Sequence, residues 1–225
     1  MANSRKLAVF DLDYTLTQRG TWGRFTWQLV KFRPHVWLPL LVSAGLAQYR
    51  YKKGKLPRVR VKMAMMTWSM KGKSKAQLLR AAEKFAHHEV PHKLRPGGLR
   101  VLREHQREGD AVIIVSAAVD ILVEAIARKL DIEHFLATDM DWDDNDIVKM
   151  SFASPNCYGE EKCVRFDAFM ERYNNLSDLP SIMYSDSHSD IFLMRKCNEA
   201  VAVHPSAKLV KLASEYGYPI VDWSR

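Results

Sequence analysis

Leu7-Ala-Val-Phe-Asp11-Leu-Asp13-Tyr-Thr15 decides the reading of this chain. Four apolar residues in a row suit a short strand buried on both faces, and an acid pair follows at once. Residues two apart on extended backbone share a face, so Asp11 and Asp13 can address one site. Two close carboxylates repel unless a cation neutralises them or one holds a proton.

The same punctuation recurs down the chain. Ala111-Val-Ile-Ile-Val115 is a second strand, followed by Ser116-Ala-Ala and a helix start, where a hydroxyl and backbone N–H groups can cradle an anion. Ile182–Tyr184 and Ala200–Val203 read as further strands, and Ser185-Asp186-Ser-His-Ser-Asp190 places two more acids four apart. Gly159-Glu-Glu-Lys162 opens a helix and contributes a cation. Helical spacing appears at Ile121, Leu122, Ala125, Ile126 and Leu130, at Val164, Phe169, Met170 and Tyr173, and in a helix stopping at Gly217. Strands alternating with helices predict an α/β fold: a Rossmann-like parallel sheet with helices on both faces. His134 to Phe152 is expected to hold a hairpin, its turn at Asp143–Asp146. That acidic turn lacks the glycine and terminal glutamate spacing of a calcium loop.

Residues 17–92 break the alternation. Helices are expected over Trp22–Phe32, Val36–Tyr51, Arg58–Met70 and onward from Ser74, where Ser74-Lys-Ala-Gln77 fits a capping box. The segment reads as an all-helical cap inserted after the first strand, returning at Leu94-Arg-Pro-Gly97. The catalytic core is then 1–16 with 93–225. The four methionines between Met63 and Met70 are expected to pack this lobe, and His87, His88 and His92 to lie at its surface or hinge.

Charge separates the two parts. The chain of 225 residues has a formal net charge of +8. From Tyr14 to Ala82 there is no Asp or Glu, while fifteen Lys or Arg occur, leaving nineteen cations against twenty-six acids elsewhere. Self-repulsion on that scale suits an anionic partner. Val36 to Ala47 is free of charge, yet twelve helical residues reach only about 18 Å, short of a hydrocarbon core of about 30 Å. Flanking Lys31, Phe32, Arg33, Tyr49, Arg50, Tyr51, Lys52 and Lys53 suit a segment lying in the interface of an anionic membrane. Nucleic acid is disfavoured, because apolar residues form a block and do not alternate with basic ones. An apolar content of 47% with 27% charged residues excludes collagen-like and disordered chains. Three cysteines without a C-x-x-C pair exclude a disulfide scaffold and suggest reduced, cytosolic thiols. No long apolar run precedes the acid pair, so no cleavable export signal is expected.

Asp11-x-Asp13-x-Thr15, Ser116, Lys162 and Asp186-x-x-x-Asp190, in that order, resemble the motifs of the haloacid dehalogenase superfamily of phosphotransferases. Arg95-Pro-Gly97, Ile114-Val-Ser116, Pro155–Lys162 and Tyr184–Ser187 are similar to its phosphoserine-phosphatase-like branch. The cap, with Gly20-Thr-Trp-Gly23 and the apolar block, more loosely resembles that of phosphatidylglycerophosphatase C. The resemblance implies a Mg²⁺-dependent phosphomonoester hydrolase working through an aspartyl-phosphate. It makes Asp11 the nucleophile, Asp13 the general acid and base, and Thr15, Ser116, Ala117 and Lys162 the phosphate-binding set. Asp11, Asp13, Asp186 and Asp190 become the metal-site residues. Phosphoserine phosphatases carry a cap glutamate about nine residues after the nucleophile; Gly20 stands there in this chain. With the basic, apolar cap, this favours a lipid phosphate such as phosphatidylglycerophosphate or a lysophospholipid phosphate. It places the enzyme in the cytoplasm, peripheral on the inner membrane face. The alternatives are a soluble phosphatase for phosphoserine, sugar or polyol phosphates, and a non-catalytic docking protein for membranes or nucleic acid.

Overall fold

The computed structural model describes residues 5–224; residues 1–4 and 225, at the two ends of the expected core, lie outside the described residues. Strand β1 (Leu7–Phe10) is followed by an irregular helical turn over Leu12–Leu16. Four helices come next: α1 (Thr21–Val30), α2 (Pro34–Lys52), α3 (Val59–Ser69) and α4 (Lys75–Lys93). Helix α5 (Pro96–Glu108) returns the chain to β2 (Ala111–Val119), α6 (Asp120–Lys129) and β3 (His134–Thr138). After β4 (Met140–Trp142) and β5 (Val148–Phe152) come α7 (Glu160–Arg172), α8 (Asn174–Ser177) and β6 (Ser181–Ser185). The chain closes through α9 (Ile191–Lys196), β7 (Glu199–Val203), α10 (Ala207–Tyr216) and β8 (Ile220–Val221).

The six-stranded sheet runs β3-β2-β1-β6-β7-β8, every neighbouring pair parallel. The expected Rossmann-like sheet with a helical insert is therefore the observed fold. Strand β1 lies inside it, with Leu7 facing Ala111 on one side and Ser181 on the other. Its side chains alternate between two layers. Ala8 and Phe10 join one apolar cluster, Leu7 and Val9 the other. This explains the unbroken apolar run: neither face meets water.

The hairpin expected within His134–Phe152 is present: β4 and β5 pair antiparallel around the turn at Asp143–Asp146, while His134–Thr138 ahead of it is an edge strand of the parallel sheet. One expectation needs correction. The second strand does not stop at Val115 but runs to Val119, with a register shift against β3 that carries Ser116 and Ala117 within it. Strand β8, two residues long, has no signal in the apolar pattern. The capping box is present, with Gln77 N–H donating to Ser74 Oγ and Ser74 N–H to Gln77 Oε1.

The helical insert does not have a wholly separate core. Trp22, Phe25, Met66, Met70, Leu78 and Phe85 belong to the same cluster as Phe10, Leu16 and Ile121. Fully burying one such side chain stabilises by about 1.5–3 kcal/mol, whereas an exposed charge pair matters by about 1 kcal/mol or less. Packing therefore outweighs the repulsion among cap cations. One of those cations is also opposed, since Arg24 pairs with the buried Glu89.

Where the insert returns, Thr17 and Leu94 form an antiparallel bridge and Gly97 N–H donates to the Trp223 carbonyl. A Cβ at Gly97 would lie 2.8 Å from Trp223 Cα. Trp223 in turn packs against Phe10 and Tyr184 beside the site. Gly97→Ala is expected to lower stability by about 1–3 kcal/mol, the usual cost of overpacking. Urea unfolding followed by tryptophan fluorescence would measure it; an unchanged midpoint would refute the close approach.

Candidate active site

The carboxyl ends of β1, β2 and β6 meet at one cavity of about 110 Å³. Asp11, Asp13, Ser116, Ala117, Lys162, Asp186 and Asp190 all line it. Four chain segments separated by up to 179 positions thus converge at one point, where open parallel sheets bind ligands. Thr15 is the expected site residue that does not line it.

Lys162 holds the cluster together. Its ammonium, 2% exposed, donates to Asp11 Oδ1 and Asp190 Oδ2, each at 2.7 Å. It stands in the first turn of α7, behind the positive-φ Gly159, whose conformation a side chain would strain. Ser185 Oγ also donates to Asp190 Oδ2 at 2.7 Å. Thr15 stands behind the carboxylates: its Oγ1 lies 3.0 Å from Asp11 Oδ2 and 3.3 Å from Asp186 Oδ1, and it accepts the Asp186 N–H at 3.0 Å. A hydroxyl so engaged orients the acids and has no proton left for a phosphate.

Charge in this cluster does not balance. Burial pushes the Asp11 carboxyl up to about 7; Lys162 pulls against this, while Asp190 and Asp186 push the same way. Burial, then Asp190, raises Asp186 to about 6. Burial would lower the Lys162 ammonium, but Asp11 and Asp190 outweigh it and hold the proton more tightly than on an ordinary lysine. One ammonium among Asp11, Asp186 and Asp190 leaves the site in need of further positive charge.

The insert supplies the other wall. Asp13 Oδ1 accepts the Thr21 N–H at 2.7 Å, tying the second acid to the first turn of α1. Tyr14, at φ 65°, is half exposed at the rim, and the Arg95 guanidinium donates to its carbonyl. Arg58, at the start of α3, lines the cavity with its guanidinium 4.4 Å from the Tyr158 ring centroid. Ser187 and Ser189 complete the lining. Sequence reading missed Arg58, Tyr158 and Thr15's orienting role. Arg58 stands in the sequence as one of fifteen cations between Tyr14 and Ala82. Its position opening a helix within that acid-free stretch is the available signal.

A family model of haloacid dehalogenase-like hydrolases matches residues 8–195, and the chain belongs to that family. It is a phosphoric monoester hydrolase of the haloacid dehalogenase type. A histidinol-phosphatase of Neisseria meningitidis is 25% identical over 234 residues, covering 97% of this chain and 99% of that protein. A crystal structure of a protein of unknown function from Bordetella pertussis superposes with a TM-score of 0.83 at 24% identity, covering 98% of this chain and all of that one. A substrate-bound phosphoserine phosphatase complex has a TM-score of 0.65 at 16% identity, over 99% and 94% of the two chains. These neighbours are consistent with the phosphoserine-phosphatase-like branch.

Lys162→Met would leave Asp11 and Asp190 buried without their cation, at an expected cost of about 3–5 kcal/mol at pH 8. A carboxyl whose folded pKa is raised gives most stability below its unfolded value and loses it as pH rises through the folded one. The loss should therefore shrink at pH 5, where Asp11 can hold a proton. Denaturant unfolding at both pH values tests this; an equal loss at each would mean Lys162 is not the counter-ion.

Proposed function

We propose that this enzyme is a Mg²⁺-dependent phosphatase that hydrolyses a lipid phosphomonoester bearing a second anionic group, such as phosphatidylglycerophosphate, through an aspartyl-phosphate on Asp11. The observation that carries the chemistry is the buried Lys162 shared by Asp11 and Asp190, beside Asp186. An Asp11 oxygen attacks phosphorus and the bond to the leaving alkoxide breaks. Asp13, held by the Thr21 N–H, gives that alkoxide its proton. Asp13 then takes a proton from water as it attacks the aspartyl-phosphate, releasing phosphate and restoring Asp11. Lys162, Ser116 and the Ala117 N–H would stabilise the phosphoryl oxygens.

The donor set fits a hard divalent cation: carboxylates whose raised values for Asp11 and Asp186 reflect burial and uncompensated negative charge. Asp11, Asp186 and the Asp13 backbone carbonyl would hold it, with Asp190 orienting Lys162. Bound there, Mg²⁺ would supply electrophilic stabilisation of the phosphoryl oxygens.

The substrate reading rests on the cap. A cavity of about 110 Å³ suits the phosphoryl end and leaves a larger remainder outside. Arg58 at its edge suits a further anion. On α2, Leu38, Leu41, Val42, Leu46 and Tyr49 are exposed along one side, while Val36, Leu40 and Ala47 are buried on the opposite side. Phe32 is 85% exposed just before that helix. This apolar face, flanked by Lys31, Arg33, Arg50, Lys52 and Lys53 with no acid in the stretch, suits docking in the interface of an anionic bilayer. Among the described residues no helix is long and apolar enough to cross a membrane. A soluble amine phosphate, such as histidinol phosphate or phosphoserine, is the second reading, favoured by the end-to-end match to the histidinol-phosphatase. It would need a free acid in the cap for the cation, and of the two acids there Glu89 is taken by Arg24 and Glu83 lies against Arg128.

A phosphate-release panel separates these readings. Wild type should turn over p-nitrophenyl phosphate with Mg²⁺, stop in EDTA, and prefer phosphatidylglycerophosphate in detergent over lysophosphatidate, phosphoserine and histidinol phosphate. No Mg²⁺-dependent release from any of them would refute catalysis and leave a docking protein. Asp11→Asn is expected to lose activity by about 10³-fold or more with its circular dichroism and melting temperature preserved; near-normal activity would remove Asp11 as nucleophile. In sedimentation, the protein should pellet with anionic vesicles and not with neutral ones, less so at 0.5 M salt than at about 0.1 M. Equal supernatant recovery with both would refute lipid docking.

A further inference from the structure

Lys62 is a buried cation that the proposed chemistry does not use. It is 8% exposed, one helical turn beyond Arg58 on α3. Its ammonium donates to the Ala117 carbonyl and to Asn156 Oδ1, both in the core. The Ala117 carbonyl also accepts from Thr138 Oγ1 at 3.1 Å, and the Ala118 N–H of the same peptide donates to Ser116 Oγ at 3.1 Å. The 117–118 peptide is therefore fixed at both ends, and Lys62 is the bond to it that comes from the cap. Thr138 Oγ1 accepts the Cys157 N–H at 3.0 Å, so the same knot ties in the segment that carries Tyr158.

A buried ammonium held by neutral oxygens is costly, and an apolar residue would cost less. The geometry is what it secures. We propose that Lys62 is a positioning residue that clamps α3 to the phosphate-side strand, so that Arg58 and Tyr158 are held together over the cavity to select substrates with a second anionic group. Lys62 acts through Arg58 and does not touch the substrate. The inference rests on the phosphatase reading of the site and adds the origin of its selectivity.

The test compares kcat/KM for the doubly anionic substrates, phosphatidylglycerophosphate and phosphoserine, with that for p-nitrophenyl phosphate. In Lys62→Met the better doubly anionic substrate should lose about tenfold or more relative to p-nitrophenyl phosphate, the size of one lost charge-assisted hydrogen bond. Arg58→Ala should show the same fall, and the double variant should fall no further, because one residue works through the other. Asn156→Ala, which removes one acceptor and keeps the buried lysine, should reproduce the fall more weakly and serves if Lys62→Met does not fold. A purely structural role would lower both kinds of substrate together and leave the ratio unchanged; that result overturns the proposal. So do multiplicative effects in the double variant, or a wild type with no preference for a second anion. Absence of Mg²⁺-dependent p-nitrophenyl phosphate turnover would instead defeat the phosphatase reading itself.

Discussion

One ammonium group, on Lys162, neutralises carboxylates from two ends of the chain. Asp11 ends the inner strand β1, Asp190 follows β6, and α7 delivers the cation between them. Without it, the buried acids would repel one another. With it, they are held close but still short of positive charge. The parallel sheet, the glycine ahead of α7 and the Thr15 and Ser185 hydroxyls are all arranged around that shared proton donor.

The insert is coupled to this centre in several places. Asp13 accepts from the first turn of α1, Lys62 reaches the Ala117 carbonyl, and Arg58 lies against Tyr158. Apolar packing joins the same two regions, since Phe25 and Met66 share a cluster with Phe10. Cap and core are thus one mechanical unit at the site, although their charges differ in sign.

Much of this was legible beforehand, and for identifiable reasons. Buried strands announce themselves by apolar runs, so β1, β2, β6 and β7 were readable. An acid pair, a serine, a lysine and a second acid pair at successive strand ends or helix starts gave the site. The edge strands were not readable: β3 carries a histidine and faces partly outward, and β8 is too short to show a pattern. Arg58 and Lys62 were lost among fifteen similar residues, because sequence does not say which cations turn inward. Only tertiary packing distinguishes Lys62, nearly sealed from water, from Lys52 and Lys53 on the surface.

Strand β1 borders β2 and β6, which begin at Ala111 and Ser181, and among the described residues nothing nearer in the chain pairs with it. Among the described strands it is the first in the chain and the one that waits longest for its second partner. Joining it to β6 requires closing a loop of about 170 residues, an entropic toll that grows only slowly with length but has to be met before the second edge of the strand is covered. Assembly of this centre is consequently a late, nonlocal event, of the sort that makes parallel topologies slow to mature. A nascent chain halted before β6 would display an uncovered, wholly apolar strand edge, the kind of surface that chaperones shield and that aggregation exploits.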